Sequence, residues 1–242
     1  MTNQTLYNTS EFELWSDRKG LLVQEHYFLT KYITALECSI LEAGTGGGRI
    51  SCELENLGFK NITAFDYVKK MIEAAKANHS HSHINFFVAD ATDLSALQSN
   101  TFDRLIYLQQ IISFIPKQAI SKAFSEAYRI TKPDGIVIFS FLNWRGRKIN
   151  PLLSYLLSVV RFFRHETQCK QCLPWLKYNN HPNWKLFSKN QPTTYWFTQE
   201  ELISTLKNFG FTILEIKTSS YFTGASSDGM LYIVAQKKGI QS

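Results

Sequence analysis

Apolar positions along the chain follow two rhythms. Short runs that are apolar almost throughout, over residues 38–43, 61–66, 84–89, 104–108 and 136–142, predict strands buried on both faces. Between them, a spacing of three and four predicts helices over residues 49–57, 69–78 and 117–131. A further helical stripe runs through Leu22, Tyr27, Phe28, Tyr32, Ile33 and Leu36, so residues 11–36 read as one helical lead-in packed beside the glycine loop that follows the first strand. Doubly buried strands alternating with helices imply a parallel sheet with crossover helices. Gly58 is expected to end the first crossover helix, and Lys132-Pro133-Asp134-Gly135 reads as a turn before the fifth strand.

Near the C-terminus the pattern changes. Thr198 is an N-cap with Glu201 three residues on, completing a capping box for a helix that runs to Asn208 and stops at Gly210. Two strands follow, at 211–218 and 230–237, joined by a polar connection that predicts a hairpin with no helix in it. The expectation is an α/β fold: seven strands, six parallel and the last antiparallel, with helices on both faces.

Residues 143–196 do not fit this rhythm, and charge separates them further. They carry nine Lys/Arg (145, 147, 148, 161, 164, 170, 177, 185, 189) against one acid, Glu166, while the whole chain has a net charge of +6. Four of the five tryptophans and four of the six prolines also fall here. The division expected is a lead-in at 1–37, an α/β domain at 38–142 and 197–242, and a basic, aromatic lid insertion at 143–196. A polar first ten residues and the lack of a long apolar run predict a cytoplasmic protein with no transmembrane segment. Four cysteines in 242 residues are too few for a disulfide scaffold.

The candidate chemistry begins at residues 39–50, where an apolar strand runs into Glu42-Ala43-Gly44-Thr45-Gly46-Gly47-Gly48. A phosphate loop would need Lys-Ser/Thr after the last glycine, but Arg49-Ile50 follows. The carboxylate at the strand end would repel a pyrophosphate and accept hydrogen bonds from an amine or hydroxyl, so the loop favours a ligand with a cationic end. Asp66 and Asp90 end the next two strands. Carboxylates at successive strand ends lie along the crevice edge where open α/β sheets bind ligands, and they suit a ribose diol and an exocyclic amine.

These motifs, in this order, resemble the class I S-adenosylmethionine-dependent methyltransferases, in the small-molecule branch with one Rossmann-like domain. The resemblance implies S-adenosyl-L-methionine as cofactor. It implies that Glu42, Gly44, Thr45 and Gly46 face the methionine part, Asp66 the ribose, Met71, Asp90 and Ala91 the adenine, and Leu108 the methyl-donor pocket, with Tyr67 a further cofactor contact. Phe102-Asp103 through Gln109 resembles the fourth-strand motif, and Lys132-Pro133-Asp134-Gly135 the turn before the fifth strand. The likeness covers about 39–142 and 198–237 and leaves out the insert. Gln109-Gln110-Ile111-Ile112-Ser113-Phe114 departs from the Asn/Asp-Pro-Pro-aromatic motif, which counts against methylation of adenine or glutamine amino groups by that device. The absence of a Pro-Cys nucleophile argues against covalent pyrimidine chemistry.

A bound sulfonium makes the methyl group electrophilic, so a base is needed for most hydroxyl acceptors and optional for an unprotonated amine, thiolate or carboxylate. His26 in the lead-in is one catalytic candidate and Gln109, which could orient the acceptor, is the other. His79, His81 and His83 alternate with serine and read as a solvated loop away from the crevice. Trp144, Arg145, Tyr195 and Trp196, with Trp175 and Trp184, are expected to wall the acceptor pocket. His165, Cys169, Cys172 and His181 could close a zinc site, but their spacing is unlike the common patterns, and no metal is expected. Residues 151–164 predict a helix of roughly 21 Å, too short to span a bilayer, that forms the spine of the lid or lies on a membrane surface.

The function expected is methyl transfer to an oxygen or nitrogen of a small, acidic or lipid-like metabolite, the nine cations favouring an anionic acceptor. Two other readings stay open: an RNA or protein-tail methyltransferase that docks through the basic insert, nucleic acid being the less favoured partner, and a cofactor-binding protein without transferase activity.

Overall fold

The computed structural model describes residues 12–147, 151–164, 169–174, 177–178, 181–183, 187, 192–224 and 228–239. Its frame alternates strand and helix: α1 (Phe12–Ser16), α2 (Val23–Tyr32), β1 (Ile40–Ala43), α3 (Arg49–Asn56), β2 (Ile62–Asp66), α4 (Lys69–Asn78), β3 (Asn85–Val88), β4 (Phe102–Tyr107), α5 (Ile120–Ile130) and β5 (Thr131–Leu142). The insert supplies α6 (Pro151–Phe163) and the short strands β6 (Cys172–Pro174), β7 (Lys177–Tyr178), β8 (His181–Pro182) and β9 (Thr193–Tyr195). The chain closes with α7 (Gln199–Asn208), β10 (Phe211–Thr218), α8 (Ser219–Thr223) and β11 (Met230–Lys237).

Seven strands form one sheet in the order β10-β11-β5-β4-β1-β2-β3. β1 pairs in parallel with β2 and β4, as do β2 with β3 and β4 with β5, whereas β11 is antiparallel to both β5 and β10. The predicted pattern of six parallel strands and one reversed strand holds. The chain steps from β1 outward to β3, then returns to β4 on the other side of β1. The switch point of the sheet, where such folds take ligands, therefore lies at the carboxyl end of β1.

Both faces are buried, which is why the strands read as continuous apolar runs. One face packs Leu41, Leu105, Val137 and Phe139 against Phe124 and Ala127 of α5 and Leu202 and Leu206 of α7. The other packs Ile40, Ile106, Ile138 and Val234 against Phe28 and Leu29 of α2, Leu54 of α3 and Ile72 of α4. Helix α2 thus belongs to the core. Phe28 stacks on Tyr232 with ring centres 5.5 Å apart, and Glu215 of β10 accepts hydrogen bonds from Tyr27, Lys31 and Tyr32.

Four expectations are corrected. The lead-in is two helices, because Gly20 takes a left-handed φ of +70° in the link between them. Lys132 to Gly135 is not a turn before β5 but a bulge within it: the register jumps between Phe102↔Thr131 and Arg104↔Ile136, and Asp134 absorbs the kink at φ +62°. The last two strands are separated by the one-turn helix α8, where Thr223 Oγ1 bonds back to the Ser219 carbonyl. Thr198 caps α7 through Glu201 N–H, but the Glu201 carboxylate turns to Tyr195 and Gln171, so the capping box is half made.

The insert adds the antiparallel pairs β6–β9 and β7–β8. Among the described residues no helix is long and apolar enough to cross a membrane.

Candidate functional site

The loop after β1 is held rigid from three sides. Thr45 N–H bonds the Phe65 carbonyl at 3.0 Å, and Gly46 N–H bonds Asp66 Oδ2 at 3.0 Å, so the loop is tied to the end of β2. Gly47 N–H bonds the Trp15 carbonyl at 3.2 Å. The glycines make room for the protein's own chain: a Cβ on Gly47 would lie 2.0 Å from the Ser16 carbonyl oxygen, and one on Gly44 would lie 2.1 Å from Ile111 Cδ1. The N-terminal helix α1 and the segment after β4 therefore close on this loop, which the glycine spacing alone does not reveal.

Glu42 faces inward. Its Oε2 accepts from Thr45 Oγ1 at 2.8 Å, from Ser51 N–H at 3.0 Å and from Ser51 Oγ. Complete burial pushes its pKa up to about 7 against those bonds. These bonds fasten the loop to the first turn of α3.

Asp66 holds the position that the strand pattern predicts. Its Oδ1 accepts from Val68 N–H at 2.9 Å, and its Oδ2 takes the Gly46 amide. The residue is 7% exposed, and burial raises its pKa to about 6. A carboxylate has room for about four hydrogen bonds, so Asp66 can still accept from a ligand diol, and the site fits a nucleoside. Ala89 N–H bonds the Asp66 carbonyl at 3.1 Å, which aligns the ends of β2 and β3. Beyond that point Asp90 is exposed and accepts from Thr92 N–H and Oγ1, both at 2.8 Å. Met71, Ala91 and Leu108 are buried around this edge and Tyr67 is half-buried, its phenol pKa raised by burial.

Across the switch point, β4 ends in two successive left-handed residues, Gln109 at φ +62° and Gln110 at φ +59°. Backbone strain of about 1 kcal/mol or more per such residue is held by Gln110 N–H bonding Ser140 Oγ at 2.9 Å. The strain aims the Gln109 amide at Glu25, to whose carboxylate it donates. Glu25 is nearly fully buried, also pairs with Arg49 and caps its own helix through Leu22 N–H. His26 lies one residue away on the exposed side of α2, so the lead-in residue that reaches Gln109 is Glu25. The sequence signal for it was present, since Glu25 shares a face with Phe28, Leu29 and Tyr32.

The predicted acceptor wall divides. Tyr195 is 4% exposed in the core beside Phe197, and its hydroxyl bonds Glu201 at 2.5 Å and Gln171 at 2.9 Å, so it anchors the insert and does not line an open pocket. Trp196 is half-buried and donates from Nε1 to Thr194 Oγ1. Trp144 is covered by the Arg147 guanidinium at 3.4 Å, and Arg145 pairs on the surface with Glu200 at 3.0 Å. Trp175, Trp184 and His165 lie outside the described residues, as does the His181 side chain. Among the described residues no cluster of three metal-binding side chains occurs; Cys169 and Cys172 are free thiols, Cys172 N–H bonding the Cys169 carbonyl at 3.1 Å. His79, expected in a solvated loop, is half-buried behind the glycine loop, with Nε2 3.1 Å from the Gly47 carbonyl and its ring stacked on Phe86.

Comparison with known proteins gives one family match and several relatives. A methyltransferase-domain family model matches residues 41–139. The chain is 37% identical over 112 residues to a malonyl-[acyl-carrier protein] O-methyltransferase of Buchnera aphidicola, covering 46% of this chain and 42% of that one. It is 29% identical over 136 residues to human EEF1A lysine methyltransferase 2, covering 50% and 55%. The chain thus spans about half the length of these curated relatives. Among solved structures, an S-adenosylmethionine-dependent methyltransferase of Methanosarcina mazei superposes with a TM-score of 0.67 at 19% identity, over 90% of this chain and 99% of that one.

Proposed function

We propose that this chain, whose residues 41–139 match the methyltransferase-domain family, is a class I S-adenosylmethionine-dependent methyltransferase that moves a methyl group to an oxygen or nitrogen of a small, acidic or lipid-like metabolite. The observation that carries this reading is the tie between Asp66 and the Gly46 amide, which fixes a buried carboxylate beside a glycine loop at the switch point of the sheet.

S-adenosylmethionine supplies a methyl group on a positively charged sulfur, already electrophilic when bound. The chain's own residues then have to bind, orient and exclude water. Gly44, Thr45 and Gly46 would hold the amino-acid part through their backbone, Asp66 with Tyr67 the ribose hydroxyls, and Met71, Asp90 and Ala91 the adenine, while Leu108 lines the donor pocket. Gln109, held by Glu25, would orient the acceptor. An unprotonated amine or a carboxylate acceptor needs no general base, and the exposed His26 is not required for such a step.

The acceptor class rests on two supports. The insert's excess of cations suits an anionic molecule, and one relative is named for O-methylation of a malonyl group. The lysine methyltransferases named among the relatives support a nitrogen acceptor on a protein as the second reading.

Calorimetric titration with S-adenosylmethionine tests the binding half: binding is expected, and it should fall with Asp66→Ala and Asp90→Ala. Labelled methyl traced in a cell extract tests the acceptor. A labelled small acid is the expected product, and label confined to protein or RNA would overturn the small-molecule reading while leaving the transferase reading intact.

A further inference from the structure

Helix α6 faces the wrong way for a helix in water. Leu157 anchors it, 4% exposed, and Arg161 and Arg164 tie it to the insert by donating to the Cys172 and Phe187 carbonyls. On the outward side Leu152, Tyr155, Leu156, Phe162 and Phe163 are between 44% and 75% exposed. At about 100° per residue these five fall in one arc of roughly 120°, with half-buried Val159 near its centre and no polar residue inside it. An apolar face that is both continuous and turned to solvent marks a surface that something else covers.

The charge of the segment that contains α6 selects the occupant. Residues 143–196 carry nine Lys/Arg against one acid, so a second copy of the same segment would meet like charge. An anionic lipid surface offers what both features need: acyl chains for the apolar arc, in which Tyr155 and the two phenylalanines suit the interfacial region, and negative headgroups for the cations of the same segment. A helix of 13 residues lying in the plane of the interface requires no spanning length. We propose that α6 docks this protein onto anionic membrane surfaces, with Leu152, Tyr155, Leu156, Phe162 and Phe163 entering the lipid. The inference is independent of the acceptor's identity.

Flotation of the full chain with phosphatidylcholine vesicles, with and without phosphatidylglycerol, tests it. Wild-type protein is expected to float with the anionic vesicles and to be released as salt is raised. Phe162→Ser with Phe163→Ser should weaken that partition by roughly tenfold or more, with melting temperature and S-adenosylmethionine binding unchanged because both side chains are exposed and remote in sequence from the cofactor loop. No flotation on anionic vesicles at low salt would overturn the proposal, and so would flotation undiminished by the double substitution. A wild-type dimer dissolved by the same substitutions would assign the face to a second copy, and retention on RNA without flotation would assign it to nucleic acid; either would overturn the membrane reading.

Discussion

Glu25 of α2 and Arg49 at the start of α3 form a two-pronged buried ion pair, Nη1 to Oε2 at 2.6 Å and Nη2 to Oε1 at 2.7 Å, with side chains 2% and 6% exposed. The pair joins the N-terminal region to the helix that follows the glycine loop, and the same Glu25 holds Gln109. Removing one member leaves the other charge buried without its partner. Arg49→Met or Glu25→Leu alone should cost about 3–5 kcal/mol, whereas the double substitution should recover most of that loss. Urea denaturation of the four proteins checks this, and a double mutant as unstable as the sum of the singles would contradict it.

The pH profile of stability should slope the unusual way. Glu42, at about 7, and Asp66, at about 6, are both raised by burial above their ordinary 4.5 and 3.8. Each keeps a proton in the folded state where the unfolded chain has lost it, so stability falls as pH rises from about 4 to about 7, by about 1.4 kcal/mol for each tenfold difference in proton affinity between the two states. Asp103 acts oppositely. Although burial pushes it up, bonds from Lys132 and Ser39 hold it at about 2, so its contribution is present above 3.8 and lost as pH falls toward 2. Melting temperature without cofactor should therefore peak near pH 4–5. A profile that rises from pH 5 to 7 would refute the assignment.

Cofactor affinity should move in the opposite sense. Only ionised Asp66 can serve all its amide donors and a diol, so binding of S-adenosylmethionine should weaken as pH falls through about 6, approaching tenfold per pH unit. Titrations at pH 5 and 7.5 on wild type and Asp66→Asn measure it; an equal pH dependence in the variant would move the effect to another group.

Gly47→Ala probes the seat of α1. The new Cβ would meet the Ser16 carbonyl at 2.0 Å, and neither backbone can yield without releasing the other. Residues 12–16 should detach, exposing the chain near Lys19 and Gly20 to protease and weakening cofactor binding by about tenfold. Unaltered proteolysis would show that the loop can absorb the methyl group.

Tyr195→Phe separates anchoring from substrate contact. Loss of the hydroxyl leaves Glu201 and Gln171 short of a partner, at an expected cost of about 1–3 kcal/mol in stability. With an identified acceptor KM should stay near wild type. A raised KM with unchanged stability would return Tyr195 to the pocket wall.

Much of the frame was legible in the residues. The strand and helix rhythm placed Lys69–Asn78 to the residue and gave the reversed last strand, because a doubly buried sheet demands apolar runs that no other arrangement explains. Asp66 was legible for the same reason: a carboxylate at the end of an apolar strand is conspicuous. The bulge at residues 132–135 was not, since Lys-Pro-Asp-Gly has turn chemistry whether it joins two elements or kinks one. Glu25 shares the apolar face of its helix, but that a charge is buried there depends on a partner 24 residues away.

The sequence by itself determined the order of elements, the two-sided core and the carboxylates at the strand ends, all of which follow from local spacing and from which side chains tolerate burial. Only the tertiary structure decided the partners of each carboxylate, Glu42 accepting from Ser51 and Thr45 and Asp66 from Gly46 and Val68. It also decided that Tyr195 turns into the core and the apolar arc of α6 turns out of it. Those outcomes depend on contacts between residues far apart in the chain, and no local pattern encodes the direction in which a side chain will find its partner.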